Sequence, residues 1–265
     1  MSHAALVWSL LSTLRQRRPL VHNITNFVVM NSTANALLCL GASPIMAHAE
    51  EELEELLGLA GALVLNIGTL SPAWIASMRL AARLAAERGL PLALDPVGAG
   101  ASRLRTATSL ALANVGKPAV IRGNASEIMA LAGASGQTKG VDSTQGSDAA
   151  EEAARSLART YGCVAVASGA VDFLTDGERD LRLSGGNALA PQVTGMGCAA
   201  TAIVGAFLAV ADNPLDAALA GMGVMKVAAE MAAIDAAGPG SFEPGFRDAL
   251  HNLSAADLDD RLMVA

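Results

Sequence analysis

The chain alternates short apolar segments with longer stretches of helical periodicity, and this alternation constrains its fold more than any other feature. Such a pattern is typical of an α/β fold in which a mostly parallel central sheet is flanked by helices on both faces. The predicted strands are residues 19–23, 43–47, 62–67, 91–95, 118–122 and 163–168. The helices predicted between them are residues 27–40, 50–58, 72–88, 125–132 and 147–161.

The rest of the chain is predicted to add one hairpin, one loop and a helical C-terminal part. The dipeptide Asp176-Gly177 is typical of a hairpin turn and predicts a pair of antiparallel strands over 171–183. Residues 133–146 are rich in Gly, Ser and Thr and are predicted to form a loop, after which Ser147 is the predicted N-cap of the next helix. Further helices are predicted near 197–211, 214–236 and 244–253.

Composition and charge indicate one domain and argue against a nucleic-acid-binding or membrane-spanning protein. The 265 residues are 52% hydrophobic, which predicts one domain, 1–265, with a large core. The net charge is -7 and the densest basic stretch, RQRR at 15–18, ends a short predicted helix, so nucleic acid is not an expected partner. The longest uncharged apolar run, 198–211, is too short for a membrane span. With no signal-peptide pattern and no C-x-x-C spacing among three cysteines, a cytoplasmic protein is expected.

Polar residues follow the predicted strands at their carboxyl ends. In open α/β sheets, ligands bind beyond the carboxyl ends of the parallel strands. These side chains are therefore expected to converge on one rim of the sheet. The strand-end residues are Asn23, Thr25, Asn26, Asn66 to Thr69, Asp95, Arg122, Asn124, Ser168 and Gly169.

Residues 194–198 read Thr-Gly-Met-Gly-Cys and lead directly into an apolar helical stretch. A glycine-rich turn at a helix start leaves backbone N–H groups free to hold an anion, and the helix dipole reinforces that binding. The same position is expected to favour the thiolate of Cys198. Cys39 and Cys163, in contrast, are predicted to be small core side chains.

Two acids and one arginine on the same rim have structural as well as functional interpretations. Asp95 is placed to hold Mg²⁺ near a polyphosphate, or else to cap the turn that follows it. Glu127 lies three residues after Asn124, which is a capping-box spacing, yet it is also a second acid for a metal-bound phosphate. Arg122 is either a phosphate ligand or a surface residue.

Two common phosphate-binding signatures fail. The Walker pattern is absent because Gly116-Lys117 is followed by Pro118. The segment 195–200 matches the loose dinucleotide form G-x-G-x-x-A, but no strand directly precedes it and the following acids, Asp212 and Asp216, lie between two predicted helices. These mismatches disfavour a nicotinamide-linked oxidoreductase, although the loose glycine match keeps it as an alternative. A non-catalytic ligand-binding protein is a second alternative, in case the acidic residues hold no metal.

Several segments together resemble hydroxyethylthiazole kinase of the ribokinase-like superfamily. They are VHNITNFVVMNSTANALLCLGASPIMAHAEEE, LNIGTL, LDPVGAGAS, RGNASEI, VASGAVD and GGNALAPQVTGMGCAATAIVGAF, which span roughly residues 19 to 211 in order. The resemblance implies phosphoryl transfer from Mg-ATP to the hydroxyl of 4-methyl-5-(2-hydroxyethyl)thiazole, a step toward thiamine. It also implies a homotrimer with active sites between subunits, in which the Asn66 to Thr69 loop completes a neighbour's pocket.

The resemblance also implies a role for each matching residue. Cys198 stands where the superfamily commonly has an Asp base, and is expected to be the base; this departure disfavours the ATP-dependent lyase that dehydrates damaged nicotinamide cofactor. A hydroxymethylpyrimidine kinase would share the loop but gives no reason for VHNITN. The thiazole-binding residues are expected to be Met46, Gly195, Asn26 and Thr194. The ATP-binding residues are expected to be Arg122, Ser168 and Gly197, and the metal-binding residues Asp95 and Glu127.

Overall fold

The described residues form a nine-stranded sheet, and its strand order is β2-β1-β3-β4-β5-β6-β7-β8-β9. The computed structural model describes residues 1–133 and 143–265. The six strands from β2 to β6 pair in parallel, and the last three pairings, β6 with β7, β7 with β8 and β8 with β9, are antiparallel. The strands are β1 Leu20–Ile24, β2 Ser43–Met46, β3 Ala62–Asn66, β4 Leu92–Asp95, β5 Val120–Asn124, β6 Val164–Ser168, β7 Asp172–Thr175, β8 Asp180–Ser184 and β9 Met263–Val264.

Helices cover both faces of the sheet. One hydrophobic cluster includes buried side chains of α1, α2, α8, α9 and α10, and a second, on the other face, includes those of α3 to α7. The helices are α1 His3–Arg17, α2 Met30–Leu40, α3 Leu53–Leu59, α4 Pro72–Arg88, α5 Arg103–Gly116, α6 Ala125–Leu131, α7 Ser143–Tyr161, α8 Met196–Leu208, α9 Pro214–Ala233, α10 Pro239–Asn252 and α11 Ala255–Arg261.

The predicted α/β architecture is confirmed. The six predicted strands are present with shifts of one or two residues at their ends, and the hairpin over 171–183 is formed by β7 and β8. Gly177 lies in its turn with a φ of 93°, a conformation that favours glycine. The pattern of short apolar segments therefore located the sheet correctly.

Helix boundaries were predicted less well. The helix predicted over 27–40 begins at Met30, because the N–H groups of Phe27 and Val28 bond to Thr69 Oγ1 and Asn26 Oδ1 in a turn. The helix predicted from 244 begins at Pro239 and accommodates Pro244 in its interior. Helix α5 was missed because its buried face includes Thr108 and Ser109, which interrupt the apolar periodicity.

The N-terminal cap predicted for α7 is wrong. The helix begins at Ser143, so Ser147 lies inside it and is not the N-cap. The predicted loop over 133–146 falls mostly on residues 134–142, which lie outside the described part of the chain. The chain beyond residue 195 is helical as predicted, except that Met263–Val264 adds the edge strand β9.

Candidate active site

The polar strand ends meet at one rim of the sheet, as the parallel topology requires. The register pairs Asn66 with Asp95 across β3 and β4, and Asn124 with Ser168 across β5 and β6. The start of α8 lies against the same rim, because Thr201 of α8 donates a hydrogen bond to Asp95 Oδ2 at 2.9 Å. The rim and the glycine-rich turn therefore form one site.

The turn that opens α8 requires glycine at one position and leaves little room for a side chain at a second. Gly195 is the N-cap with a φ of 89°, and a Cβ there would lie 2.8 Å from Val29 Cγ1. A Cβ on Gly197 would lie 2.9 Å from Arg122 Nη1. Met196, Gly197 and Cys198 form the first helical turn, where backbone N–H groups lack intrahelical partners. The predicted geometry, a helix start with a cysteine in its first turn, is confirmed.

Arg122 braces this turn against the sheet. Its Nη1 donates to the Gly197 carbonyl at 3.0 Å and its Nη2 to Ser168 Oγ at 2.8 Å. The Ser168 hydroxyl in turn donates to the Gly123 carbonyl at 3.2 Å. Arg122 Nε is buried and has no hydrogen-bond partner among the described residues. The arginine is therefore part of the site and not a surface residue, and it connects β5, β6 and α8.

A cleft of about 810 Å³ opens beside Arg122. Its lining combines Ser168 and residues 194–197 with a glycine-containing segment after β8 and with side chains of α9. Those of α9 are Met222, Met225, Lys226 and Ala229. The cleft thus offers a polar end at the helix start and an apolar region along α9, which suits a ligand with an anionic and an apolar part.

A buried chain of hydrogen bonds lies on the other side of the turn. Asn26 Nδ2 donates to Asn66 Oδ1 at 2.8 Å, and Asn66 Nδ2 donates to Asp95 Oδ2 at 2.8 Å. Asn26 Nδ2 also lies 3.5 Å from Cys198 Sγ. Burial raises the pKa of Asp95 to about 7, although the nearby Arg122 guanidinium opposes the rise. Cys198 is therefore held next to an asparagine amide and near a carboxyl group.

The expectation that Cys198 favours the thiolate is wrong. Burial and the charge of Asp95 together raise the pKa of this thiol to about 11, although the side chains of Asn66 and Asn26 act in the opposite direction. The side chain is removed from water and lies near an acid, and both conditions disfavour the thiolate. At neutral pH the group is a thiol.

Glu127 forms the capping box that its spacing predicted. Its Oε2 accepts from the Asn124 N–H at 2.8 Å, while Asn124 Oδ1 accepts from the Glu127 N–H at 3.0 Å. Its Oε1 accepts from the Gly98 N–H at 2.8 Å, which fixes the loop after β4. Each carboxylate oxygen retains a lone pair, and hard oxygen donors of this kind suit Mg²⁺ that keeps most of its waters. Glu127 could therefore still accept from the waters of a Mg²⁺ ion, whereas Asp95, whose Oδ2 already accepts from Asn66 and Thr201, would contribute through Oδ1.

Two residues named in the sequence analysis do not line this cleft. Met46 is in the edge strand β2, level with Asn23 of β1, and is not part of the cleft lining. Asn66, the first residue of the Asn66 to Thr69 loop, is 2% exposed and is hydrogen-bonded within its own chain. The reason is that β3 is a central strand, so its carboxyl end is enclosed by β1 and β4.

Sequence reasoning missed three contributors to the site. Thr201 was read only as part of an apolar helix, and Lys226 only as a break in an apolar run. Arg105 of the missed helix α5 donates to the Val97 and Gly68 carbonyls, both at 2.7 Å, and so ties together two rim loops. Lys226 could have been recognised from the sequence, because it is a lone cation within an apolar helix.

Comparison with known proteins identifies the family. The profile of the hydroxyethylthiazole kinase family matches residues 11–256. The chain belongs to the hydroxyethylthiazole kinase family. Among its relatives, a hydroxyethylthiazole kinase of Nitratidesulfovibrio vulgaris is 57% identical over 264 residues, which cover 100% of this chain and 99% of the relative. One of Leptospira biflexa is 52% identical over 95% of this chain and 94% of the relative.

Solved structures support the same family and fold. A hydroxyethylthiazole kinase structure from Pyrococcus horikoshii has a TM-score of 0.92 and 44% identity, and 98% of each chain is covered. An ADP complex of Bacillus subtilis pyridoxal kinase has a TM-score of 0.59 at 20% identity, with 79% of this chain and 90% of that chain covered. The predicted ribokinase-like fold is therefore confirmed. None of the described helices of this hydroxyethylthiazole kinase family member is long and apolar enough to cross a membrane.

Proposed function

We propose that this protein transfers the γ-phosphoryl group of ATP to the hydroxyl of 4-methyl-5-(2-hydroxyethyl)thiazole, giving the thiazole phosphate used to make thiamine. The observation that carries the proposal is the Arg122-braced helix start, which has an 810 Å³ cleft on one side and the buried Asn26 to Asp95 chain on the other. Membership of the kinase family, with relatives named as hydroxyethylthiazole kinases, supports the choice of acceptor.

The nucleotide is assigned to the cleft. Arg122 and Ser168 are the proposed phosphate ligands, since a guanidinium that keeps N–H donors beyond its two hydrogen bonds and a hydroxyl hydrogen-bonded to it both border the cleft. The N–H groups of the 196–198 turn, including that of Gly197, are aimed to hold charge that develops on the transferred group. The apolar side chains of α9 suit the base of the nucleotide.

The thiazole alcohol is assigned to the Cys198 side. We propose that Asn26, Gly195 and Thr194 hold it near the helix start, and that Met46 contacts the ring as the carboxyl-end residue of β2. Asn26 is well placed because its amide is fixed by Asn66 and lies against the Cys198 sulfur. This arrangement supports a role in orientation, which is a large part of phosphoryl-transfer catalysis.

Asp95 and Glu127 are proposed to hold Mg²⁺ through its waters. A Mg²⁺ ion held there would supply positive charge that offsets the negative charge of the phosphates. Glu127 is fixed by two backbone N–H groups, and Asp95 by Asn66 and Thr201, so neither carboxylate needs to reorganise. Removal of Mg²⁺ with a chelator is expected to abolish turnover.

An assay of ADP release tests the proposed reaction. With Mg-ATP, release is expected with the thiazole alcohol and not with hydroxymethylpyrimidine, with hydrated nicotinamide cofactor or without acceptor. Release that depends on the pyrimidine alcohol would assign the alternative kinase, and release that depends on hydrated cofactor would assign the lyase. ATP binding without turnover on any acceptor would contradict an enzymatic function.

Cys198 is proposed to orient the acceptor hydroxyl. Only the thiolate form of Cys198 can act as a general base. With a pKa of about 11, only about one thiol in 10⁴ is ionised at pH 7. Cys198→Ala is therefore expected to lower kcat by about tenfold, with little change in KM for ATP. Cys198→Asp is expected to retain more activity than Cys198→Ala, because a carboxylate accepts a proton more readily than a methyl group.

The pH dependence of kcat distinguishes orientation from base catalysis by the thiolate. Orientation predicts a kcat that is nearly independent of Cys198 ionisation between pH 7 and pH 9. A wild-type kcat that rises tenfold per unit over that range, and is flat in Cys198→Ala, would contradict this role. A lower kcat for Cys198→Asp than for Cys198→Ala would show that steric fit governs the position.

We also propose that the protein is a homotrimer with active sites between subunits, acting in the cytoplasm. Phe27 and Val28, which directly follow Asn26, are 63% and 64% exposed, so an apolar surface borders the acceptor side. The three free cysteines suit a reducing compartment. The molar mass from light scattering tests the trimer.

A further inference from the structure

The ammonium group of Lys226 is enclosed by four oxygen atoms from the chain. Its Nζ lies 3.1 Å from the Ala170 carbonyl, 3.3 Å from that of Gly185 and 3.5 Å from that of Gly169. The fourth oxygen is Asp172 Oδ2, at 3.4 Å. The Lys226 side chain is 10% exposed and that of Asp172 is 4% exposed, so the cation is almost fully withdrawn from water.

These contacts join two loops that line the cleft. The first loop follows β6 and contains Gly169 and Ala170; its Gly169 N–H donates to Asp172 Oδ1 at 2.9 Å. The second follows β8 and contains Gly185 and Gly186, whose φ values of 99° and 85° favour glycine. Lys226, on α9, contacts both loops.

Glu230 strengthens the attachment of the second loop. It lies one helical turn after Lys226, and its Oε1 accepts from the Gly186 N–H at 2.9 Å. Helix α9 thus holds both polar groups of one peptide unit in this loop, the Gly185 carbonyl through Lys226 and the Gly186 N–H through Glu230. The position of the loop is therefore determined by α9.

The oxygen set around Lys226 resembles a site for a monovalent cation. Backbone carbonyls that converge on one point replace the hydration shell of an ion such as K⁺, and a carboxylate balances its charge. An ammonium group has three donors and the same charge, so a lysine side chain can occupy such a site permanently. Its donors are then engaged by the loops, which leaves it poorly suited to bind a phosphate directly.

We propose that Lys226 is a built-in monovalent cation that sets the distance between the two loops and thereby positions the nucleotide in the cleft. It is a positioning residue, since it acts through the loops and not on the reacting atoms. The inference rests on the proposed function only for the assignment of a nucleotide to this cleft.

The test is chemical rescue of a truncated side chain. Lys226→Ala removes the cation and leaves a space lined by oxygen atoms. Its KM for ATP, and the Kd for a non-hydrolysable ATP analogue measured by calorimetry, are expected to rise about tenfold or more. The KM for the thiazole alcohol is expected to change less than about twofold. Added ammonium or potassium chloride is expected to restore nucleotide affinity, whereas choline chloride at equal ionic strength is not.

Two further variants make the result specific. Lys226→Met retains the apolar stem and fills the space, so it is expected to lose nucleotide affinity without rescue by either cation. Lys117→Met makes the same substitution at an exposed position on the opposite rim of the sheet, before β5, and is expected to match the wild type. Wild-type affinity is expected to be insensitive to potassium, because the site is already filled.

Different outcomes overturn different proposals. An unchanged nucleotide Kd in both Lys226 variants, or equal effects of choline and ammonium on Lys226→Ala, would overturn the inference. Circular dichroism and thermal unfolding check that the variants are folded, and Lys226→Met carries the affinity test if Lys226→Ala is not folded. Nucleotide binding is measured without acceptor, so failure to phosphorylate the thiazole alcohol would contradict the proposed reaction and leave this inference standing.

Discussion

Arg122→Met is expected to lower kcat/KM for ATP by about 10³, because an arginine that contacts a transferring phosphoryl group contributes on that order. The guanidinium bonds to the Gly197 carbonyl and to Ser168, so its loss also frees the start of α8 from β6. Arg122→Lys is expected to recover only part of the activity, since an ammonium group cannot reproduce the planar fork of donors. Steady-state kinetics with varied ATP measures both effects.

A control separates phosphate binding by Arg122 from a general loss of structure. Arg83→Met replaces an arginine that is 61% exposed, whose ion pair with Glu87 is long at 3.9 Å, and is expected to leave kinetics unchanged. Arg122→Met should also weaken ATP and ADP binding far more than adenosine binding. Equal weakening of all three would show that the residue supports the cleft and does not bind phosphate.

The location of the site was predictable because it follows from topology. Once six short apolar segments are placed in a parallel sheet, the residues after them must share a rim, and Asn26, Asn66, Asp95, Arg122 and Ser168 do so. The helix start at 195–198 was predictable for a local reason, since the positive φ of Gly195 favours glycine at the N-cap. Family resemblance added the reaction and the acceptor.

The electrostatics of the site were not predictable from the sequence. The thiolate expectation for Cys198 rested on its place in the helix, which is local, whereas its pKa is set by burial and by Asp95, which is 103 positions away in the sequence. Lys226 shows the same limitation, because its partners come from loops that precede it by about 40 to 60 residues. Such contacts depend on tertiary packing, for which a single sequence contains no direct signal.

Asp95→Asn is expected to stabilise the metal-free protein at pH 8 while lowering kcat/KM by about 10². Burial raises the pKa of Asp95 from 3.8 to about 7, so the folded state favours the protonated acid. The stabilising contribution of protonated Asp95 to the free energy of unfolding is then fully present below about pH 4, and it is lost as the pH rises toward 7. From the size of the shift, the loss is on the order of 2 to 4 kcal/mol.

Asparagine avoids this loss because it cannot ionise, and its amide oxygen can still accept from Asn66 and Thr201 as Asp95 Oδ2 does. Denaturant unfolding in chelator is expected to give similar free energies for the wild type and Asp95→Asn at pH 4, and a more stable variant at pH 8. Asp259→Asn, an exposed change on α11, controls for charge alone. A stability difference that is the same at both pH values would show that Asp95 is not a destabilising buried acid. If Asp95→Asn raises stability and lowers activity, the negative charge of Asp95 serves the reaction of the phosphates and does not stabilise the fold.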